Sequence, residues 1–223
     1  MASGELIRRT PWDRPALDCD TYELADSSAE AMAQVRAPGH YTVKVDPLSD
    51  KRILHENGFY YCDTLLEPYC ARDRFAGATH SEATLTREAP LADLLRICHG
   101  AFTHGRFHRD FGVPRERADR RYDGWLQQLH GAGKVYGLLH RGALAGFIAA
   151  DGAKLVLHAI AERHRGRGLA KYWWTAVCQE LFAAGHSEVT SSVSASNLAA
   201  LNLYASLGFR LRHPVDIYHR VIP

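Results

Sequence analysis

The sequence predicts a mixed α/β fold. Its second half reads helix, helix, three strands, helix, strand, helix, strand, and strands that both follow one another and alternate with helices belong to a mixed sheet. Hydrophobic residues make up 46% and charged residues 23% of the 223-residue chain, the balance of a globular protein with a real core. A glycine-bearing turn at 166–168 joins a strand to a helix, as in α/β proteins that bind anions.

Each element has its own signal. Leu91, Leu94, Leu95, Ile97 and Cys98 recur at helical spacing behind Pro90, predicting a helix to about Phe102. Pro114 opens a second helix through Tyr122, Trp125, Leu126 and Leu129, ended by Gly131-Ala132-Gly133. Strands at 134–139 and 143–150 are joined by the hairpin-like turn His140-Arg141-Gly142, and 154–161 is a third strand. A long helix over 168–184 stops at Gly185, a strand covers 188–194, and a helix over 197–207 is closed by Gly208. Strands at 209–212 and 217–221 finish the chain.

The small, polar stretch 77–90 reads as a linker, dividing the chain into units 1–85 and 86–223. Residues 45–59 and 193–209 both read strand, helix, Gly-Phe, strand, so the first unit is either a shortened copy of the second or shares a common helix stop with it. Lys and Arg number 27 against 25 Asp and Glu, so no nucleic-acid footprint is expected. The most apolar stretch, 143–161, is interrupted by Asp151, Gly152, Lys154 and His158 and is no membrane span. The N-terminal residues lack the cationic and apolar pattern of a secretory signal. Five cysteines without a C-x-x-C pair predict free thiols in a reducing cytoplasm. No Cys cluster and no His pair with a carboxylate at ligand spacing is present, so no metal is expected.

The segment Arg165-Gly166-Arg167-Gly168-Leu169-Ala170 carries the most chemistry. Its glycines free the backbone to expose amides, and the following helix adds a partial positive charge, together a site for a pyrophosphate. A P-loop is excluded, because no Gly-Lys-Ser/Thr follows at the required spacing. A dinucleotide fingerprint is nearly met by Gly166, Gly168 and Glu188, but Lys171 occupies the third small position. The third reading is a coenzyme A loop of the form Arg/Gln-x-x-Gly-x-Gly/Ala, met by Arg165, Gly168 and Ala170. On the later helix Asn197 and Tyr204 lie two turns apart on one face. They are either groups on a cleft or an N-cap and a core aromatic.

The loop and the Asn197…Ala200…Leu203-Tyr204…Gly208-Phe209 helix, in this order and spacing, resemble the GCN5-related N-acetyltransferase (GNAT) superfamily over roughly residues 90–223. The resemblance implies a centrally splayed sheet behind a truncated, related N-terminal α/β unit, and acetyl-CoA as co-substrate. Gly166, Arg167, Gly168, Leu169 and Ala170 would take the pyrophosphate, and Arg165 its rim. Pantetheine would run beside His158 and Ile160 with Asn197 binding its arm, and Tyr204 would meet the thioester sulfur. Residues 101–110 with Tyr122 and Trp125, and Trp12-Asp13, resemble the dTDP-fucosamine acetyltransferase branch, which implies the 4-amino group of a dTDP-linked amino-dideoxy sugar as acceptor.

Acetyl transfer to a primary amine needs a held donor, a neutral amine, an oxyanion donor and a proton for the thiolate. The N–H near Ile160 suits the oxyanion and Tyr204 the thiolate. The base is open among Asp63, His108, Asp110 and His158. Arg106 and Arg109 are expected to clamp an acceptor diphosphate, with His108 and Asp110 shaping its site, and Trp173-Trp174 to pack in the core. The alternatives are another amine acceptor (an amino acid, peptide or small molecule), a non-catalytic acyl-CoA module and a dinucleotide oxidoreductase. A homodimer is a further expectation.

Overall fold

The computed structural model describes residues 5–223. Residues 1–4, where the N-terminal signal reading and the 1–85 unit begin, lie outside them. The first half contains β1 (Ile7–Arg9), α1 (Arg14–Leu17), β2 (Thr21–Leu24), α2 (Ala29–Ala33), β3 (Gly39–Val45), α3 (Arg52–Glu56) and β4 (Tyr60–Ala71). The second contains β5 (Ala83–Thr86), α4 (Leu91–Cys98), α5 (Arg115–Gly131), β6 (Val135–His140), β7 (Ala143–Asp151), β8 (Lys154–Ile160), α6 (Ala170–Ala183), β9 (Glu188–Ser191), β10 (Val193–Ser194), α7 (Leu198–Ser206) and β11 (Arg210–Ile222).

β7 is a continuous apolar run, buried from Ala145 to Ala150, because helices cover both faces of the sheet there. On one face Trp173, Trp174, Val177 and Cys178 of α6 pack with Tyr204, Leu207 and Phe209. On the other, Leu94 and Cys98 of α4 meet Leu126 and Leu129 of α5 over Phe147, Ala149 and Leu157. Trp173 and Trp174 are core residues, and Trp173 Nε1 donates to the Leu139 carbonyl at 2.8 Å.

All the strands join one sheet in the order β1-β2-β3-β11-β4-β9-β8-β7-β6-β5, with β10 paired to β4. It is antiparallel except at β2/β3 and β8/β9. β4 leaves the first half to pair with β9, and β11 returns to lie between β3 and β4. Two expectations change. The stretch read as a linker contains β5, a four-residue strand on the edge of β6. The two terminal strands are one strand, β11, bent by a bulge between Arg212 and Val215 where His213 adopts φ 49° beside Pro214. No helix of the described residues is long and apolar enough to cross a membrane, and all five cysteines are free.

One buried polar cluster fastens the segment after α4 to the first half. Asp110 accepts from His219 Nδ1 at 2.7 Å and His40 Nε2 at 3.0 Å on one oxygen, and from the Tyr60 hydroxyl and the Gly112 amide, both at 2.7 Å, on the other. Burial works to raise the Asp110 pKa, but these donors outweigh it and hold the carboxyl well below its ordinary range. Burial pushes His219 down to about 3. These are the described residues whose donor atoms cluster closely enough for a metal, but their hydrogen bonds to one another already account for the arrangement.

The unfolded chain protonates His219 below its ordinary 6.5, whereas the folded chain does so only near 3. Stability is therefore complete above pH 6.5 and declines as pH falls through that window, by about 1.4 kcal/mol per unit for this one group. Thermal unfolding between pH 7 and 4 is expected to show this fall. His219→Asn, which keeps a donor for Asp110 but does not titrate, flattens it.

Candidate active site

The site begins where β8 and β9 part. They pair only at Lys154 with Thr190 and Leu155 with Ser191. β9 and β10 then follow β4, to which Val193 and Ser194 are registered at Leu66 and Leu65. On its other edge β8 stays with β7, and the Ala161 amide donates to the Ala145 carbonyl. Antiparallel alternation turns the backbone groups of His158 and Ile160 toward the open side. The Ile160 carbonyl there accepts from Arg165 Nε at 2.8 Å, while the Ile160 amide faces the cleft as a free donor.

The glycine loop lies at the end of β8. Gly166 and Gly168 both adopt φ 71°, a left-handed conformation that costs any residue with a Cβ. Residues 165–168 are exposed, and no backbone carbonyl among the described residues accepts from the amides of Gly166 through Ala170. α6 starts at Ala170 with no side-chain cap, so its first amides point the same way. The loop has what an anion needs, namely free donors and a helix N-terminus.

A cavity of about 370 Å³ runs from this loop into the gap. Its walls include Arg165, Asn197, Val156 to Ile160, Ser192 to Ser194, Asp63, Arg106, Arg121, Tyr122 and Trp125, with Asp63 beside Ser194. Asn197 caps α7, its Oδ1 accepting from the Ala200 amide at 3.1 Å, and its Nδ2 is left for the cavity. The cap and the cleft readings of Asn197 therefore both hold for its position.

Asp63 is wholly buried on β4 and borders the cavity. Its Oδ1 accepts from Ser194 Oγ at 2.7 Å, Arg109 Nη1 at 2.8 Å and the Thr64 amide at 2.9 Å. Its Oδ2 has no partner. Burial raises the Asp63 pKa, and the Ser194 and Arg109 contacts only partly offset that. A carboxylate with one oxygen fixed and the other buried without a partner is a candidate proton acceptor.

Tyr204 lies at the root of the gap and is fully buried. Its hydroxyl donates to Ser191 Oγ at 2.8 Å, which donates to the Leu155 carbonyl at 2.9 Å, and His158 Nε2 stands 3.2 Å from the same hydroxyl. The chain of bonds ties β8 to β9 where they separate. Sequence reading expects the phenol open to the cleft; here His158 lines the cavity and Tyr204 lies behind it. Burial pushes Tyr204 up to about 12 and His158 down to about 4, so the phenol is protonated and the imidazole neutral at neutral pH.

Two expected acceptor residues belong elsewhere. His108 Nε2 pairs with Asp119 Oδ1 at 2.9 Å, its ring tilted against Tyr122, and it does not line the cavity. Asp110 has both oxygens occupied in the buried cluster described above. Arg109, expected on a diphosphate, instead fastens Asp63. Ser191 and Ser194 carry no local sequence signal, because their contacts depend on partners 36 and 131 positions away. The aromatic wall is built by Phe102 stacked on Tyr122 at 4.4 Å, with Trp125 beside it. Gly105 is required there, since a Cβ would stand 2.1 Å from the Tyr122 hydroxyl.

Residues 100–209 match the model of the acetyltransferase (GNAT) family. Among solved structures, a GCN5-related N-acetyltransferase from Sphaerobacter thermophilus is similar at 14% identity over 96% of this chain and 76% of that one, with a TM-score of 0.64. A conserved protein of unknown function from Staphylococcus epidermidis is similar at 11% identity over 100% and 94%, with a TM-score of 0.65. A tandem GNAT protein from the clavulanic acid biosynthesis pathway is similar at 13% identity over 90% and 75%, with a TM-score of 0.56. At these identities the structures establish the fold. No curated protein matches in sequence.

Gly168→Ala puts a Cβ at φ 71° and strains the loop by about 1 kcal/mol or more. The expected result is coenzyme A binding weakened about fivefold or more with the thermal midpoint little changed, read by calorimetric titration.

Proposed function

We propose that this chain, whose residues 100–209 match the GNAT acetyltransferase family, is an N-acetyltransferase that uses acetyl-CoA, that the gap between β8 and β9 holds the thioester and that Asp63 receives the acceptor amine. The observation that carries this reading is one cavity whose wall holds Arg165, Asn197 and Asp63, a carboxylate with one unpartnered oxygen. The pyrophosphate rests on the amides of the glycine loop, and pantetheine lies along the free edge of β8. The acyl oxygen meets the Ile160 amide, which stabilises the oxyanion as charge develops there.

The amine arrives protonated, and its first proton passes to Asp63 Oδ2 and on to water. The nitrogen lone pair then attacks the thioester carbon. The tetrahedral nitrogen gives up a second proton to water, the C–S bond breaks, and the thiolate takes a proton from Tyr204, which water restores. One proton is released overall. The high pKa of Tyr204 makes it a donor and not a base, and its bond to Ser191 is exchanged as the sulfur approaches.

The acceptor is a primary amine on a small molecule. Our finer reading is the 4-amino group of a dTDP-linked amino-dideoxy sugar, supported by the resemblance of residues 101–110, Tyr122 and Trp125, the last two of which line the cavity. The free thiols suit a reducing compartment, and we place the protein in the cytoplasm.

Asp63→Asn is expected to lower kcat about 100-fold or more while acetyl-CoA still binds, as shown by calorimetric titration. In the wild type the base must be ionised, so kcat falls as pH drops through the raised Asp63 pKa. Arg109→Ala removes a charge that favours ionisation and moves that limb to higher pH. Tyr204→Phe lowers kcat with little change in acetyl-CoA affinity. Acetyl-CoA binding without turnover on any amine overturns the reading.

A further inference from the structure

Of the Lys and Arg side chains on the cavity wall, Arg106 and Arg165 have no carboxylate bonded to them among the described residues, and Arg165 is held by the Ile160 carbonyl. Lys44, also on the wall, is bonded to Glu23 at 3.1 Å, and Arg121 to Asp13 at 2.8 Å. Along the same stretch Arg109 pairs with Asp63, and Arg117 and Arg120 pair with Asp18. Arg106 has no carboxylate bonded to it among the described residues, and its guanidinium lies 4.6 Å from the centre of the Phe107 ring. Burial and the neighbouring charge of Arg121 both work against its ionisation, and the more distant Asp13 and Glu23 offset them only in part.

Its position is fixed from both sides. Phe107 is buried among Leu17 and Ala118, and Gly105 lies under the Tyr122 hydroxyl. A guanidinium held this way presents a fork of donors to an anion at little entropic cost. Asp63, paired with Arg109 through Oδ1 and unpartnered at its buried Oδ2, lines the same cavity and is not bonded to Arg106. A site with separate places for a cation and an anion fits a molecule that carries both.

We propose that the acceptor carries an anionic oxygen group, a phosphate or a carboxylate, besides its amine, and that Arg106 binds this group while Asp63 takes the amine. The inference rests on the acetyl-transfer reading above. Arg106 is thereby the residue that sets acceptor choice, and neutral amines are poor substrates.

The test uses the full chain saturated with acetyl-CoA, so that the glycine loop is already filled. Inorganic phosphate and acetate, each against chloride at equal ionic strength, are added in thermal-shift titrations. One of the two raises the midpoint of the wild type and not of Arg106→Ala, and which one does so identifies the group. In turnover, phosphoethanolamine is compared with ethanolamine, and β-alanine with β-alaninamide. The anionic member of the favoured pair has kcat/KM about tenfold or more higher, and Arg106→Ala removes the difference through KM while Arg106→Lys restores part of it. Equal midpoint shifts in wild type and Arg106→Ala, or equal kcat/KM within both pairs, overturn the proposal and leave acetyl transfer standing. Failure of acetyl-CoA itself to bind overturns the acetyl-transfer reading first.

Discussion

The functional architecture depends on two parallel strands that stay together for only two residue pairs. β8 is committed to β7 along its length, and β9 with β10 is committed to β4. Neither can close the gap without giving up its other partner, so backbone donors and acceptors in the middle of a sheet remain unpaired. Such groups are costly when buried and are satisfied by water or a ligand. In the proposed reading, the extended, amide-bearing pantetheine arm would restore the missing ladder. The same divergence opens the space into which Asp63 and the aromatic wall face.

What holds the gap open is polar. Ser191 bridges Tyr204 to the Leu155 carbonyl at the point of separation, and Ser194 bridges β10 to Asp63 on β4. Both serines stand on the strand that turns away. This one edge of the gap is therefore braced against both the acid candidate and the base candidate, and a shift of β9 would move both together.

Much of the second half could be read from sequence because Pro90, Pro114, Gly131, Gly185 and Gly208 punctuate strong apolar periodicity, and the elements α4 to α7 and β6 to β9 follow that punctuation. The glycine loop was legible for the same local reason. β5 was not, being four residues in a polar stretch that becomes a strand only by pairing with β6. β11 was split in two because Pro214 looks like a stop, whereas the bulge absorbs it. In the site, Asp63 is one of four candidate bases in the sequence, and the structure brings it to the cavity. His108 and Asp110 looked equally chemical in sequence. Their partners Asp119, His40 and His219 are set by tertiary packing, and no local pattern reveals that a polar side chain is already satisfied.

The two halves share a plan. β2 and β3 are parallel around α2 as β8 and β9 are around α6, and α3 and α7 each lead through Gly-Phe into a long strand. We read the first unit as a truncated relative of the second. Each long strand is donated across: β4 lies beside β9, and β11 beside β3. Excision at residue 85 would take β4 from β9, leaving it with only its short pairing to β8. The substrate channel is in this sense owned by neither half, and any ancestor that worked as a single unit had to complete its sheet with its own last strand or with that of a second molecule.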